Sequence, residues 1–467
     1  MIFSSLEFLF VFLPVTILLY YLLPRPLKNT VLLVMSLIFY GVGEPIYILL
    51  MIFTIFVDYI CGYQVGIWKE SRPGRAKAAL IAAIVLNLLL LGFFKYYDFI
   101  AVNLSALPFI SIKPLSLTLP IGISFYTFQI MSYVIDVYRG AARMQKNPFL
   151  VATYVTLFPQ LIAGPIVRYQ DVDDQLSDRK ESVALFASGL RTFTSGLAKK
   201  VLLANTAASL CEAAATSDSL SVFGAWVGIV YYCFQIYFDF SGYSDMAIGL
   251  GKMFGFRFLE NFNYPYISQS VTEFWRRWHI SLSTWFREYV YIPLGGNRVD
   301  KKWKLYRNLF IVWFLTGMWH GANWNFILWG LYYFLLLVVE KAFLLRFLEK
   351  VPSFFRHVYA LVFILFGWLI FYFTDSSQGF TYLQTMFGIG SSGICSATDL
   401  YDLLRNVPFL VVSVVACLPA PKALFYRLYE KKRYFPYLAA AGTAVLFLLS
   451  VSYLVDGAYN PFLYTRF

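Results

Sequence analysis

One histidine inside an apolar tract is the residue whose type and position best suit chemistry. His320 lies in the stretch Leu315-Thr-Gly-Met-Trp-His-Gly-Ala-Asn-Trp324, within the apolar tract 309–339. A titratable ring at membrane depth is costly unless it has partners or a function. Imidazole is also the side chain that ionises closest to neutral pH, which suits proton transfer. We therefore take His320 as the candidate chemical centre of the protein. The tract alone equally allows a histidine that only hydrogen-bonds packed helices.

The other two histidines, His279 and His357, lie among charged residues. Around His279, apolar side chains recur at steps of three and four residues in the segment 272–289, and these are Trp275, Trp278, Leu282, Trp285 and Phe286. This spacing places them on one face of a helix. We expect that helix to lie at the membrane surface with its aromatic side inward. On this pattern alone His279 is an interfacial hydrogen-bonding residue.

A second unusual stretch, 237–246, holds the carboxylates Asp239 and Asp245 together with Ser241. The two carboxylates are six residues apart, so they do not share a helical face. Gly242 between them suggests a turn, followed by a helix over 246–255. Two interpretations stay open: a polar floor to a reaction chamber, or carboxylates that cap the following helix at the interface.

The composition identifies the class of protein. The 467 residues are 59% hydrophobic, 20% aromatic and only 14% charged, whereas soluble domains contain about 25% charged residues. We expect an all-α polytopic membrane protein, and since no polar linker divides the chain, a single domain over 1–467. The net charge is +12, and the basic residues lie in short loops between apolar runs. This is the distribution that the positive-inside rule predicts for cytoplasmic loops, so the charge does not indicate nucleic acid as a partner. The five cysteines show neither metal-ligand nor disulfide spacing.

The order of apolar and basic segments predicts a topology. The basic segments 69–77, 298–307 and 422–433 are expected in the cytoplasm and both termini outside it, with the tail 456–467 external. Breaks are expected at 41–45 and 158–165, where glycine and proline interrupt apolar runs. The segment 308–340 has basic neighbours on both sides but is too short for two spans of about 20 residues each. We therefore predict a short hairpin or re-entrant pair with His320 at its turn, part-way through the bilayer.

Several motifs in order along the chain resemble the membrane-bound O-acyltransferase family. They are Phe158-Pro-Gln-Leu-Ile-Ala-Gly-Pro-Ile-Val-Arg168, Phe238-Asp-Phe-Ser-Gly-Tyr-Ser-Asp245, Phe274-Trp-Arg-Arg-Trp-His-Ile-Ser-Leu-Ser283, Tyr291-Ile-Pro-Leu-Gly-Gly-Asn-Arg298, Met318-Trp-His-Gly-Ala-Asn-Trp324 and Asp456-Gly-Ala-Tyr-Asn-Pro-Phe-Leu-Tyr464. The resemblance is closest to the bacterial alginate-acetylating members. It is more distant to the members that transfer D-alanine to teichoic acids.

This resemblance implies a fold and a site. The fold would be a ring of roughly eleven membrane helices, with re-entrant and interfacial helices around a central funnel. His320 would be the signature histidine and general base, and His279 a second important histidine. We expect substrate contacts within the matching motifs, from Asp239, Ser241, Asp245, Arg276, Arg277, Trp278, Trp319 and Asn323, and no metal.

The resemblance also implies a reaction and partners. The donor would be an acyl thioester, either acetyl-CoA or an acylated carrier protein at the cytoplasmic face, with no bound cofactor. The acyl group, acetyl in the alginate-type members, would pass outward to a secreted or membrane-anchored polysaccharide acetyltransferase. The expected location is the bacterial inner membrane, with the lipid bilayer as a partner. The alternatives are D-alanyl transfer to teichoic acid, and a transporter or flippase with Asp239, Asp245 and His320 on its path.

Overall fold

The computed structural model describes residues 1–162, 164–217, 219–457 and 460, and every regular element within these ranges is a helix. The expected all-α class is therefore confirmed. Most of the terminal motif 456–464, like the external tail predicted at 456–467, lies outside the described residues.

Seven helices in the described ranges are long and apolar enough to cross a bilayer. They are Arg25–Gly43, Tyr47–Ser71, Pro73–Ser105, Val222–Met253, Trp324–Leu348, Ser353–Tyr372 and Phe435–Asp456. An eighth crossing results if Val407–Ala416 and Pro419–Lys431, which meet at 69°, form one broken span. The larger number of crossings implied by the family resemblance stays a prediction.

The chain divides into two compact units, and the first comprises Met1–Phe193 and Tyr243–Leu259. The predicted break at 41–45 is confirmed, since one helix ends at Gly43 and the next begins at Tyr47. The backbone also breaks at Leu157, as the prolines of 158–165 predict. The predicted loop 69–77 is wrong, because Pro73 starts a new helix directly after Arg72. Proline suits a first helical position, where its missing N–H has no helical partner.

Helices make up most of the first unit, with a longer non-helical segment over 106–122. They are Phe8–Phe12, Leu13–Leu22, Arg25–Leu27, Lys28–Gly43, Tyr47–Ser71, Pro73–Ser105, Ile123–Arg139, Pro148–Thr156, Phe158–Leu161, Tyr169–Ser177, most of Val183–Ala198 and the last part of Val222–Met253.

The second unit comprises Thr194–Gly242 and Glu260–Phe467 and contains all three histidines. Its helices are Lys199–Ala204, Asn205–Ala215, the first part of Val222–Met253, Pro265–Ile267, Val271–Arg277, Ile280–Phe286, Arg287–Tyr291, Lys302–His320, Trp324–Val339, Glu340–Leu344, Leu345–Leu348, Ser353–Tyr372, Ser376–Met386, Ala397–Arg405, Val407–Ala416, Pro419–Lys431 and Phe435–Asp456. The single domain expected over 1–467 stays a prediction.

Gly242 does not form the predicted turn. The helix Val222–Met253 runs through it without a break, so the separate helix expected over 246–255 is also wrong. The glycine serves a close approach between helices instead. A Cβ at Gly242 would lie 2.7 Å from the backbone oxygen of Gly196 and 3.1 Å from the backbone nitrogen of Lys200.

The predicted surface helix 272–289 is two short helices, Val271–Arg277 and Ile280–Phe286. The chain bends between them because His279 has a left-handed backbone conformation (φ 45°, ψ 55°). Such a conformation is uncommon for a residue other than glycine. The aromatic stripe is nevertheless mostly buried, as its spacing predicts.

The predicted hairpin around His320 is confirmed, although it is longer than expected. One helix, Lys302–His320, has 19 residues, and the next continues from Trp324 to Leu348 over 25 residues, with a turn at 321–323. Both helices extend into the basic segments that we expected to be loops. Lysine and arginine are good helix formers, so charge alone does not end a helix.

Candidate active site

His279 and His320 line the same cavity, which has a volume of about 340 Å³. Both rings are buried, whereas the basic side chains of Arg276, Arg287 and Lys341 on the same cavity are exposed. The cavity therefore leads from a basic, solvent-facing side to two buried imidazoles. Its other lining residues are Thr272, Trp275, Trp278, Leu282, Ser283, Phe286, Tyr291, Asn297, Leu309, Val312, Trp313, Thr316, Leu337 and Leu345.

His320 is the last residue of the helix Lys302–His320. Aromatic rings surround its imidazole edge-to-face, with centroid distances of 4.8 Å to Trp329, 5.2 Å to Phe371 and 5.1 Å to Trp319. Edge-to-face contacts of this kind fix the orientation of a ring. The position of His320 is therefore set by packing in a largely apolar environment.

Two glycines let the helices of the hairpin approach closely enough to hold His320. A Cβ at Gly317 would lie 2.5 Å from the backbone oxygen of Phe326, and a Cβ at Gly330 would lie 2.5 Å from that of Trp313. Any larger residue at these positions would separate the two helices. Glycine at these two positions is thus a requirement of helix packing.

His279 reaches the cavity from the bend between the two short helices. Its Nδ1 lies 3.1 Å from Oδ1 of Asn261, and its ring meets that of Phe240 edge-to-face at 4.6 Å. The ring of Trp319 contacts both histidines, with centroid distances of 5.9 Å to His279 and 5.1 Å to His320. The two imidazoles therefore belong to one aromatic-lined site.

Asn261 is a site residue that sequence reasoning missed. It is buried, and its Oδ1 accepts hydrogen bonds from the Ser281 backbone N–H at 3.1 Å and the Ser281 hydroxyl at 2.9 Å, besides contacting His279. Asn261 precedes His279 by 18 residues, so no helical or strand periodicity links them. The only local signal is a polar residue at the start of an aromatic-rich segment.

Glu340 fixes the start of the helix Val271–Arg277, which carries the basic side of the cavity. Its carboxylate is buried and accepts hydrogen bonds from the backbone N–H groups of Val271 at 2.7 Å and Thr272 at 2.8 Å. It also accepts one from the Tyr359 hydroxyl at 3.0 Å. A carboxylate at a helix N-terminus satisfies N–H groups that have no helical partner. This contact ties the helix to the hairpin that carries His320.

Trp275 lines the cavity, and its indole N–H is buried. Its Nε1 has no hydrogen-bond partner among the described residues. Its ring is held edge-to-face by Trp313 at 4.9 Å and Tyr333 at 4.8 Å. A buried donor without an acceptor is costly, so this group suits an acceptor atom of a bound molecule.

Five of the residues predicted for the site come together. His279, His320, Arg276 and Trp278 line the cavity, and Trp319 contacts both histidine rings.

The other five predicted residues do not line this cavity. Arg277 forms an ion pair with Glu273 at 2.9 Å, and Asn323 caps the helix Trp324–Val339. Asp239 forms an ion pair with Lys200, Ser241 is buried within the helix Val222–Met253, and Asp245 belongs to the first compact unit. Their proposed role in substrate binding stays a prediction.

Comparison with known proteins identifies the family of this chain. The profile of the MBOAT, membrane-bound O-acyltransferase family matches residues 139–384, which include both cavity histidines. The probable alginate O-acetylase AlgI of Pseudomonas aeruginosa is 44% identical over 395 residues, covering 84% of this chain and 76% of that protein. The peptidoglycan O-acetyltransferase of Helicobacter pylori is 36% identical, covering 85% of this chain and 81% of its own. The teichoic acid D-alanyltransferase of Bacillus subtilis is 31% identical, with 48% and 59% covered.

The family match covers more than half of the chain, and the described residues include several helices long and apolar enough to cross a membrane. The chain belongs to the membrane-bound O-acyltransferase family and is an integral membrane acyltransferase.

Proposed function

We propose that this protein takes an acetyl group from a cytoplasmic thioester and transfers it to a hydroxyl group, for the O-acetylation of an extracellular or cell-wall polysaccharide. The observation that carries the proposal is a single cavity with two buried imidazoles and an exposed basic side. The similarity to an alginate O-acetylase and a peptidoglycan O-acetyltransferase supports acetyl as the group transferred. The bacterial inner membrane is the location that fits this reaction.

His320 acts as the general base. It removes the proton of the acceptor hydroxyl while the oxygen attacks the thioester carbonyl carbon. A carbon–oxygen bond forms, the carbon–sulfur bond breaks, and the departing thiolate receives the proton back from the imidazolium. General-base assistance of this kind contributes about 10²–10⁴-fold to the rate.

The N–H of Trp275 is the donor that we assign to the thioester carbonyl oxygen. Negative charge develops on that oxygen as the carbonyl is attacked, and a preorganised donor in a buried site stabilises it. The buried Nε1 without a described acceptor supports this assignment.

The exposed basic side of the cavity recognises the donor. Arg276, Arg287 and Lys341 suit the phosphate groups of coenzyme A or the acidic surface of a carrier protein. Arg287 is partly neutralised by Glu288 at 3.0 Å, and Lys341 also donates to Asn297 at 2.5 Å. Arg276 is therefore the residue that we expect to contribute most. The donor enters and leaves in each cycle, so no bound cofactor is required.

Transfer across the membrane needs only the acyl group to move. A charged thioester carrier cannot cross about 30 Å of hydrocarbon, but the acetyl group is small and uncharged. The donor reaches the cavity from the cytoplasm and the acceptor hydroxyl from the opposite side. A separate secreted or membrane-anchored transferase then delivers the acetyl group to the polysaccharide.

The proposal is tested in cells and in reconstituted membranes. Ester-linked acetate on the extracellular polysaccharide and the cell wall is measured in strains that carry wild-type protein, His320→Ala or His357→Ala. His357 is the matched control, because its Nδ1 contacts the backbone oxygen of Ser268 at 3.1 Å and it does not line the cavity. We expect about a 10²–10⁴-fold loss with His320→Ala and little change with His357→Ala.

In vesicles, consumption of radiolabelled acetyl-CoA is compared with that of acetylated and D-alanylated carrier protein. Near-normal acetylation by folded His320→Ala protein would contradict the general-base role. If the protein consumes only the D-alanylated carrier, the transferred group is D-alanyl and the acetyl proposal is wrong.

A further inference from the structure

We infer that Asn261 is a positioning residue that holds His279 in the tautomer with hydrogen on Nδ1, so that Nε2 is a hydrogen-bond acceptor on a ring that lines the cavity. This inference concerns the state of one ring, and it assigns that ring a different role from His320. The argument rests on which atoms can donate around the Asn261 side chain.

The orientation of the Asn261 amide is settled by a backbone group. The N–H of Ser281 can only donate, and it lies 3.1 Å from the terminal atom of Asn261 that also faces His279. That atom must therefore be the oxygen, because an NH₂ group would place two donors against each other. The Ser281 hydroxyl, 2.9 Å from the same atom, can also donate to it.

The tautomer of His279 follows from this assignment. Its Nδ1 lies 3.1 Å from an oxygen that only accepts, so Nδ1 carries the hydrogen. A neutral imidazole with hydrogen on Nδ1 has a lone pair on Nε2. Nε2 is buried and has no hydrogen-bond partner among the described residues, while the ring lines the cavity. An acceptor nitrogen is thus kept for a group that enters from outside the protein.

The backbone reinforces the same arrangement. The N–H of Ile280 donates to the backbone oxygen of Asn261 at 2.9 Å, so both the main chain and the side chain of Asn261 bind the bend. His279 keeps its left-handed conformation within this bend. Unusual backbone conformations of this kind cost free energy and persist where the surroundings determine them.

The tautomer limits what His279 can do in the reaction. With its lone pair on Nε2, the neutral ring accepts a hydrogen bond from an O–H, N–H or S–H group of a reactant. Nε2 carries no hydrogen in this tautomer, so it cannot donate a hydrogen bond to the carbonyl oxygen of the thioester. His279 therefore orients the hydrogen-bearing reactant beside His320, and the carbonyl oxygen is bound elsewhere. This last step rests on the proposed function, whereas the tautomer does not.

Nitrogen NMR of the full-length protein in lipid bilayers tests the tautomer without any substrate. The chain has only three histidines, so ¹⁵N-histidine labelling gives three rings, and His320→Gln and His357→Gln assign the remaining signal to His279. At a pH where the ring is neutral, we expect a protonated Nδ1 and an unprotonated Nε2. A protonated Nε2 in the wild-type protein would overturn the inference, whether or not the protein transfers acetyl groups.

Three variants test the role of Asn261. Asn261→Ala should give a mixture of the two tautomers, and an unchanged spectrum of that folded variant would contradict the role of Asn261. Asn261→Asp should restore the Nδ1–H signal, because each group that contacts Oδ1 can donate to a carboxylate. Ser281→Ala is the control: it removes a hydroxyl that lies 2.9 Å from the same oxygen and 3.5 Å from Nδ1 of His279, but it leaves the contact between Asn261 and Nδ1 at 3.1 Å in place, so it should keep the wild-type tautomer. If Asn261→Ala is unfolded in a thermal melt, the wild-type spectrum still tests the tautomer of His279. The Asn261→Asp spectrum then tests whether an acceptor at position 261 keeps the hydrogen on Nδ1.

Discussion

Nζ of Lys200 and Oδ1 of Asp239 form an ion pair at 2.6 Å, and both side chains are only 2% exposed. The lysine also donates to Oδ1 of Asn205 at 2.9 Å. Separating such a pair leaves a buried charge without its partner, which costs about 3–5 kcal/mol. The contact joins the helices Lys199–Ala204 and Val222–Met253, so we expect its main effect on stability.

Asp239→Ala should lower the free energy of unfolding by about 3–5 kcal/mol, seen as a lower melting temperature in detergent. The double variant Lys200→Met with Asp239→Leu should recover most of that stability, because no charge is then left buried. A melting temperature equal to wild type, together with a raised KM for the donor, would instead support the substrate contact predicted from the sequence.

Arg276→Gln should raise the KM for the thioester donor about tenfold, because the substitution removes roughly one charge-assisted hydrogen bond to the donor. The effect should be larger at low ionic strength, because salt screens exposed charges. Arg277→Gln is the matched control, since Arg277 is bound to Glu273 on its own helix and does not line the cavity. Steady-state kinetics at two salt concentrations measure both variants. An equal change in both would place donor recognition away from this cavity.

Trp275→Phe should reduce kcat by about 10²-fold, the loss expected for one donor to a developing oxyanion. The substitution keeps an aromatic ring next to Trp313 and Tyr333 and removes the N–H. Single-turnover measurement of acetyl transfer follows the chemical step directly. Trp313→Phe, on the same cavity, controls for the change in ring size. The carbonyl assignment is wrong if the two variants lose activity to the same extent.

Gly317→Ala should destabilise the hairpin by about 1–3 kcal/mol, the usual range for overpacking, and should also impair transfer because His320 is displaced. The cause is the Cβ, which would lie 2.5 Å from the backbone oxygen of Phe326. Gly442→Ala is the control, since nothing lies within 4 Å of its added Cβ. Thermal melts of both variants test the comparison. Equal melting temperatures would show that the hairpin tolerates a wider separation.

Cysteine labelling tests the predicted topology. In a protein without its five native cysteines, Glu70→Cys and Lys302→Cys should react only from the cytoplasm, and Phe387→Cys only from outside. The positive-inside rule is the physical basis for the cytoplasmic assignments. Outside labelling at position 302 would overturn both the topology and the predicted depth of His320.

The hairpin of His320 could be predicted because its information is local. An apolar tract with glycines around a single imidazole indicates two helices and a turn, and basic residues on both sides indicate an even number of crossings. The lengths of the two helices could not be predicted, because helical backbone continues through charged residues such as Lys302 and Lys341.

Contacts between residues that are distant in the sequence could not be predicted from local patterns. Gly242 resembles a turn residue, and only its proximity to Gly196 explains it. Asn261 lies 18 residues before His279, and the hydrogen bond between them depends on a bend that no periodicity predicts. Local patterns thus predicted the hairpin that carries His320, whereas the groups that contact the two histidine rings depend on tertiary packing.

The left-handed backbone of His279 narrows the substitutions that evolution or design can use at this position. Alanine would remove the ring and also strain the bend, so an inactive His279→Ala protein mixes two defects. Asparagine, aspartate and glycine adopt this conformation more readily than other residues. Of these, only asparagine keeps an uncharged side chain that can accept a hydrogen bond. Asparagine is therefore the replacement that separates the chemistry of the imidazole from the shape of the chain.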